Sequence, residues 1–296
     1  ALDAVNSVGG IIMPRLLKRM GVECVCVNCE PTGEFAHNPE PLPSNLVELC
    51  EAVVANGADF GVSVDPDVDR LALICENGQP FGEEYTLVSV ADYLLSRIYN
   101  EALETGKSIE EIAAPYQMVT SSNLSSSRAL RDVTEQYGGE YCTAAVGEVN
   151  VTTKMREAGA LIGGEGNGGV IYPALHYGRD AMVGVALFLT NLAYKKMKVS
   201  ELRASYPEYV IAKNKIELSD SALIDKILEE VKTVYAAEDI NTIDGVKISF
   251  EAKKEWVHLR RSNTEPIIRI YAEAATAEAA DALAQQIIAI ANKIIG

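Results

Sequence analysis

Two short apolar runs, at residues 60–64 and 71–75, flank a hydrophilic turn in the first third of the chain. Each run is five residues long and carries no charge, which is typical of a buried β-strand. The surrounding sequence alternates between segments that predict strands and segments that have the hydrophobic spacing of a helix. Strands are predicted at 2–5 and 22–27, and helices at 11–20 and 46–54. Strand, helix, strand, helix, strand is the rhythm of a doubly wound α/β sheet.

The same alternation continues through the middle of the chain. Helices are predicted at 86–99, 127–137, 152–158 and 180–197, and strands at 116–119 and 161–163. The last ninety residues differ, because their strands follow one another with short connections, at 246–250, 256–259 and 267–272. Helices at 220–235 and 276–294 flank these strands, which is an α+β pattern.

The sequence therefore predicts an α/β protein with two doubly wound α/β domains followed by a smaller α+β C-terminal domain. We place the domains at 1–80, 81–205 and 206–296. At 296 residues the chain is long enough for that many hydrophobic cores. It opens without a Met inside an expected strand, so we expect it to be part of a longer protein.

Composition narrows the class of partner. The formal net charge is −16, which argues against a nucleic-acid partner, because phosphates require a basic face. No apolar run approaches the roughly 18 residues of a membrane span, so no membrane partner is expected. Of the six cysteines, Cys24, Cys26 and Cys29 have a spacing that could hold a metal, but no fourth Cys or His lies nearby to close a zinc site. Reduced thiols in a cytoplasmic protein fit the six cysteines best.

The turn between the two apolar runs is the richest candidate site. It reads Asp65-Pro66-Asp67-Val68-Asp69-Arg70, with carboxylates at every second position. Like charges this close repel unless a cation lies among them, and hard oxygen ligands favour Mg²⁺. Arg70 is suited to holding a phosphate through its planar guanidinium. A plain acidic surface turn is the alternative; an EF-hand is rejected, because its sixth position must be Gly and its flanks helical.

A glycine-rich segment over 163–169 is the second candidate. It formally matches a dinucleotide fingerprint, but a strand-like Val170-Ile171 follows where that motif requires a helix. Glu165 and Asn167 in this setting suit hydrogen bonding to the vicinal hydroxyls of a sugar. A glycine-rich loop without a ligand remains the alternative.

A basic turn between two predicted strands of the last domain is the third candidate. Residues 260–266 offer two guanidiniums, two hydroxyls, an amide and backbone N–H groups, and this set of donors suits a phosphate. An ordinary polar turn is the alternative.

Taken in order, these loops closely resemble those of the α-D-phosphohexomutase superfamily, which includes phosphoglucomutase, phosphomannomutase and phosphoglucosamine mutase. The turn over 65–70 resembles the family's magnesium loop. Residues 164–168 resemble its sugar-binding loop, with Asn167 where many members have Ser, and 260–266 resemble its phosphate-binding loop. The resemblance covers essentially the whole chain and corresponds to the second, third and fourth of the family's four domains.

The resemblance implies an isomerase, an intramolecular phosphotransferase that interconverts hexose 1-phosphate and hexose 6-phosphate through a bisphosphate. Arg70 would act in catalysis by steadying a phosphoryl oxygen. The other roles are magnesium binding by Asp65, Asp67 and Asp69, sugar binding by Glu165 and Asn167, and phosphate binding by Arg260, Ser262, Asn263 and Thr264. The cofactor would be Mg²⁺ and the partner a hexose phosphate.

Two departures from the family pattern qualify this prediction. The family's Ser-His-Asn-Pro nucleophile segment is missing, since Ala36 stands at the serine position of a partial echo. We therefore expect the chain to need the missing N-terminal domain of the same protein and to be inactive alone; the alternative is a non-catalytic sugar-phosphate-binding protein. In addition, Glu148 replaces a histidine of some members, and further candidates for the cleft are Glu148, Lys154, Arg179 and Asp180.

Overall fold

A computed structural model describes residues 1–218, 222–262 and 267–295 of the chain. The chain divides into two compact units. The first comprises Ala1–Thr143 and Gly147–Pro207, and the second Ala144–Val146 and Glu208–Gly296. The predicted fold class is confirmed: the first unit contains two mixed α/β sheets, and the second contains an antiparallel sheet with helices. The three-domain division at residues 80 and 205 stays a prediction.

The first sheet is built from β1 to β4. Its elements are β1 Leu2–Asp3, α1 Gly9–Arg19, β2 Cys26–Val27, α2 Val47–Ala55, β3 Phe60–Val64 and β4 Leu71–Cys75. The strand order is β2-β1-β3-β4, with β1 parallel to β2 and β3, and β4 antiparallel to β3. The predicted strand over 22–27 was too long: only the last two residues pair, and Val25 and Cys26 at this sheet edge are exposed.

The second sheet repeats this plan. Its elements are α3 Glu83–Thr105, α4 Ile109–Ala113, β5 Gln117–Asn123, α5 Ala129–Gln136, β6 Glu140–Ala144, α6 Glu148–Ala158, β7 Ala160–Glu165, β8 Gly169–Ile171, α7 Ala181–Lys195 and α8 Val199–Ala204. The order is β6-β5-β7-β8, with β5 parallel to β7 and β8 antiparallel to β7. β6 was not predicted. In both sheets a fully or almost fully buried strand leads through a short loop into an antiparallel partner.

The second unit is an antiparallel sheet covered by two long helices. Its elements are β9 Val210–Glu217, α9 Ala222–Val234, β10 Asp239–Asn241, β11 Val246–Phe250, β12 Glu255–Arg261, β13 Ile267–Ala274 and α10 Ala277–Ile295. The order is β10-β11-β12-β13-β9. Alternate positions such as Val257, Leu259 and Ile270 are buried with the apolar faces of α9 and α10, as the period-2 pattern of a half-buried strand requires. β9 was not predicted.

No helix in the described part of the chain is both long enough and apolar enough to cross a membrane.

Candidate functional site

The loop between β3 and β4 gathers three carboxylates. One oxygen from each of Asp65, Asp67 and Asp69 lies within 4.8 Å of the others, and no other group of three or more His, Cys, Asp or Glu side chains in the described residues meets this criterion. Asp65 is buried, Asp69 is half-buried and Asp67 is exposed. The three side chains therefore converge rather than spread into solvent.

Asp65 organises the loop through its own side chain. Its Oδ1 accepts hydrogen bonds from the backbone N–H groups of Asp69 and Arg70, both at 3.0 Å. Val68 has a left-handed backbone with φ of 62°, an unfavourable conformation for a β-branched residue. Its N–H donates to Asp65 O, and its carbonyl accepts from the first residue of α7, Ala181. The turn is thus held in a strained shape by contacts on both sides.

The electrostatics of the loop suit a cation. Burial raises the pKa of the Asp65 carboxyl to about 7, and the Asp69 and Asp67 carboxylates add to the rise. Asp69 Oδ1 is buried and has no hydrogen-bond partner among the described residues. A buried carboxylate oxygen without a hydrogen-bond partner costs free energy. A hard cation coordinated by these oxygens would offset that cost. The residues present fit Mg²⁺, which prefers oxygen ligands.

Arg70 lies beside the carboxylates without forming a tight ion pair. Its Nε is 3.5 Å from Asp65 Oδ2 and 3.8 Å from Asp69 Oδ1, and a terminal nitrogen is 3.5 Å from Glu40 Oε1. Nε is buried and lacks a hydrogen-bond partner in the described part of the chain. The guanidinium therefore retains donors for an anion.

The glycine-rich loop between β7 and β8 lies directly against the aspartate loop. Leu71 N, at the start of β4, donates to Gly168 O at 3.1 Å. Gly168 has φ of 85°, and a Cβ there would lie 2.2 Å from Leu71 O. A Cβ on Gly166 would lie 2.1 Å from the Glu84 carboxylate. Glycine is required at 168 because the backbone has a left-handed φ and lies against the Leu71 backbone, whereas a side chain at 166 would displace the Glu84 carboxylate. Strand β8 follows the loop where a dinucleotide-binding fingerprint would require a helix, in agreement with the sequence analysis.

Both predicted sugar-binding side chains are fixed by internal hydrogen bonds. Glu165 is buried, and its Oε1 accepts from Asn123 Nδ2 at 3.0 Å and from Gly147 N at 3.2 Å. Asn167 Oδ1 accepts from Gly169 N at 3.2 Å. These contacts position the two side chains at the loop that adjoins the carboxylates.

Arg179 connects the two loops. Its guanidinium donates to Asp69 Oδ2 in the aspartate loop and, at 3.2 Å each, to Glu165 Oε2 in the glycine loop and Glu148 Oε2 at the start of α6. Of the further cleft candidates, Glu148 and Arg179 thus belong to the cluster.

The other two cleft candidates lie differently. Asp180 caps α7, where its Oδ1 accepts from Met182 N and Val183 N, and its Oδ2 lies 3.0 Å from His176 Nε2. The structure does not bring Lys154 into the cluster, because this partly exposed side chain pairs at 4.0 Å with Glu157 on its own helix.

The basic turn belongs to the second unit and is described only in part. Arg260 and Ser262 lie at the end of β12, and Ser262 N donates to Ile267 O at 3.0 Å. Asn263 and Thr264 lie outside the described residues. Arg260 stands directly opposite Arg269 in the β12–β13 ladder. Arg269 was missed by the sequence analysis, because its pairing with Arg260 depends on the register of β12 and β13.

The two arginines form an electropositive pair. Arg260 Nε is buried without a hydrogen-bond partner in the described part of the unit, and no ion pair involves Arg269 there. Neighbouring His258 is buried, and its Nε2 donates to Asp244 O at 2.6 Å. Burial lowers the pKa of His258 to about 4, and the cations Lys247 and Arg260 lower it further. Because like charges opposite each other repel, this pair is suited to an anion.

Sequence profiles of one family match most of the chain in three consecutive segments. They are described as phosphoglucomutase/phosphomannomutase alpha/beta/alpha domain II at residues 1–78, alpha/beta/alpha domain III at 90–209 and the C-terminal domain at 213–290.

Individual relatives agree with these profiles. A "Phosphoglucomutase/phosphomannomutase" of Thermococcus kodakarensis is 36% identical over 94% of this chain and 57% of its own length. A "Probable phosphoglucosamine mutase" of Methanopyrus kandleri is 32% identical over 99% of this chain and 61% of its own length. The crystal structure of a phosphoglucomutase/phosphomannomutase family protein from Burkholderia thailandensis superposes with a TM-score of 0.81 at 27% identity, covering 99% of this chain and 59% of that one. The chain thus spans about 60% of the length of the relatives it matches.

Proposed function

The chain belongs to the phosphoglucomutase/phosphomannomutase family of the α-D-phosphohexomutase superfamily, and on that premise we propose its function. It supplies the metal-, sugar- and phosphate-binding loops of an intramolecular phosphotransferase. The reaction interconverts hexose 1-phosphate and hexose 6-phosphate through a bisphosphate intermediate. The nucleophilic serine is provided outside these 296 residues, since no Ser-His-Asn-Pro segment occurs within them.

One observation carries the proposal: the aspartate loop and the glycine loop form one continuous surface. Leu71 N bonds Gly168 O, and Arg179 bonds both Asp69 and Glu165. A mutase must hold a phosphoryl group next to the sugar that receives it. Loops that adjoin through direct hydrogen bonds can provide that proximity.

The aspartate loop is assigned the phosphoryl end of the substrate. Asp65, Asp67 and Asp69 would hold Mg²⁺, which supplies charge neutralisation on the transferring group. Arg70 is assigned a phosphoryl oxygen, because its guanidinium forms no tight ion pair with the aspartates and a guanidinium binds phosphate through two parallel hydrogen bonds. Both effects act on charge that develops during transfer.

The remaining loops are assigned positioning roles. Glu165 and Asn167 bind hydroxyls of the sugar, and their fixed orientation reduces the entropy lost on binding. In the second unit, Arg260 and Ser262, with Asn263 and Thr264, bind the phosphate that is not reacting. Arg269 joins this set because it stands opposite Arg260.

The experiment that tests the function compares two proteins. The full-length gene product and the 296-residue chain are each assayed for conversion of glucose 1-phosphate, mannose 1-phosphate and glucosamine 1-phosphate, with Mg²⁺ and a hexose bisphosphate primer. We expect turnover from the full-length protein, and binding without turnover from the chain alone. Mutase-level turnover by the chain alone would show that the nucleophile has been assigned to the wrong place.

A second candidate function is favoured by Ala36, which stands at the serine position of Ala36-His37-Asn38-Pro39. His37 is tied by its two ring nitrogens to Asn38 O and Asp3 Oδ2, as expected of a structural histidine. The chain would then be a non-catalytic sugar-phosphate-binding protein. Absence of turnover from the full-length product, together with Mg²⁺-dependent binding of a hexose phosphate, would favour this candidate.

We also propose a cytoplasmic location, which rests on cysteine usage alone. All six cysteines are free thiols. Free thiols are typical of reducing compartments. Fractionation of the source cells, followed by detection with an antibody, tests this assignment.

A further inference from the structure

The two inner carboxylates of the aspartate loop share an unusual restriction. Asp65 commits Oδ1 to the backbone N–H groups of Asp69 and Arg70. Asp69 commits Oδ2 to the Arg179 guanidinium, whereas its Oδ1 is buried without a hydrogen-bond partner in the described part of the chain. Each side chain therefore has one oxygen held by protein donors and one left for an ion.

The donor on Asp69 is itself immobilised. Arg179 Nε and a terminal nitrogen bond Glu148 and Glu165 at 3.2 Å each, and its backbone N bonds Glu148 Oε1 at 3.1 Å. The side chain is only 14% exposed, and a Cβ on Gly169 would lie 2.4 Å from its Cδ. Because the guanidinium is planar and anchored at both ends, Oδ2 of Asp69 cannot easily exchange it for a metal ion.

Divalent ions differ in how they use carboxylates. Ca²⁺ takes about six to eight oxygens and often binds a carboxylate through both of them, whereas Mg²⁺ demands six ligands in a tight octahedron. Building on the metal role proposed above, we propose that Arg179 determines metal selectivity. By occupying Asp69 Oδ2 it leaves that carboxylate one oxygen for an ion, which weakens binding of Ca²⁺ relative to Mg²⁺.

A role in charge compensation alone leads to a different expectation. Removing one positive charge beside the loop strengthens the binding of any divalent cation, and it does so equally for Mg²⁺ and Ca²⁺. The ratio of the two dissociation constants cancels this contribution. A change in the ratio therefore reports coordination geometry and not charge.

The test is calorimetric titration of the 296-residue chain with MgCl₂ and with CaCl₂. For Arg179→Met we expect the ratio Kd(Ca²⁺)/Kd(Mg²⁺) to fall at least about tenfold, because Asp69 becomes free to bind through both oxygens. Arg179→Lys, which keeps the charge but cannot span three carboxylates, should lower the ratio in the same direction and preserve the fold if the Met variant does not. The matched control is Arg156→Met, because Arg156 stacks on the Tyr177 ring at 3.7 Å.

The outcomes separate this inference from the proposed function. An unchanged ratio in a folded Arg179 variant, with the wild-type chain still binding Mg²⁺, overturns only the selectivity role. Failure of the wild-type chain to bind either ion overturns the metal role itself. A lower ratio in both Arg179 variants, with no change in Arg156→Met, supports the inference.

Discussion

The aspartate loop of the first unit and the arginine pair of the second unit gather charges of opposite sign, and they differ in how far the protein itself compensates those charges. In the first region the carboxylates already accept hydrogen bonds from the protein. Asp65 accepts from backbone N–H groups, Asp69 from Arg179, and Glu165 from Asn123 and Arg179. In the second, neither Arg260 nor Arg269 has an ion-pair partner among the described residues. On the function proposed above, the first region would bind a cation and the second would bind an anion. The proposed function requires both kinds of site.

The largest expected effect is the loss of Mg²⁺ affinity on substitution of Asp65, and it tests the first half of this comparison. In Asp65→Asn the side-chain oxygen still accepts both N–H groups, so the loop should fold, but the second anionic oxygen is lost. We expect Mg²⁺ affinity to fall more than about 100-fold in calorimetry. Asp59→Asn removes the same charge at an exposed position and should bind Mg²⁺ normally. Retained Mg²⁺ binding by Asp65→Asn would mean that the preorganised region is not the metal site.

Asp65→Asn should also change how the free energy of unfolding depends on pH. Native Asp65 keeps its proton to about pH 7, whereas in the unfolded chain it releases it near its ordinary pKa of 3.8. Between these values the native state binds more protons, so the metal-free chain should lose stability as pH rises towards 7. Urea unfolding from pH 5 to 8 should show this loss in the wild type, and less of it in Asp65→Asn or with Mg²⁺ present.

His258 in the second unit should also make the stability of the protein depend on pH, but in the opposite direction to Asp65. The unfolded histidine takes up a proton near pH 6.5, but the native one only near pH 4, so the unfolded state binds more protons in between. Stability should therefore fall by about 2 to 3 kcal/mol between pH 7 and 4.5. His258→Gln should reduce that loss in urea unfolding. An identical acid dependence in the variant would place the loss elsewhere.

A smaller effect is expected at Arg269. Arg269→Met should weaken binding of inorganic phosphate about 10- to 30-fold, which corresponds to one charge-assisted hydrogen bond of about 2 kcal/mol. Without phosphate the variant should be as stable as the wild type or slightly more so, because it loses like-charge repulsion. Lys226→Met, on the exposed side of α9, is the control. Unchanged phosphate affinity in Arg269→Met would remove the arginine pair from the account.

The smallest expected effect concerns the glycine loop. Asn167→Ala should weaken binding of glucose 1-phosphate about fivefold, which is the loss of one neutral hydrogen bond. Asn167→Ser keeps a short polar side chain and should stay within about twofold of the wild type. Calorimetry in the presence of Mg²⁺ measures both. A larger loss in Ser than in Ala would contradict a hydrogen-bonding role.

Much of this arrangement could be predicted from local pattern. The strands at 60–64 and 71–75 have the predicted bounds, because short, uncharged and mostly apolar segments on both sides of a charged turn leave few alternatives. The convergence of Asp65, Asp67 and Asp69 follows from their spacing on one short loop. Their roles as ligands, with those of the sugar and phosphate residues, stay predictions.

What local pattern could not supply comes from contacts between distant segments. Arg179 reaches Asp69 across 110 positions, and it was named only as one of several cleft candidates. Strand β2 is shorter than its alternating sequence predicts, because pairing at a sheet edge depends on the neighbouring strand. Arg269 became visible through the register of β12 and β13. In each case the decisive information is tertiary and not local.

The most direct test of the central claim is a crystal of this chain soaked with Mn²⁺, which stands in for Mg²⁺ and scatters anomalously. The account predicts one anomalous peak about 2.1 Å from oxygens of Asp65, Asp67 and Asp69, with Arg179 still bonded to Asp69. Absence of a peak among these three carboxylates at saturating Mn²⁺, or a peak only elsewhere on the chain, would contradict it.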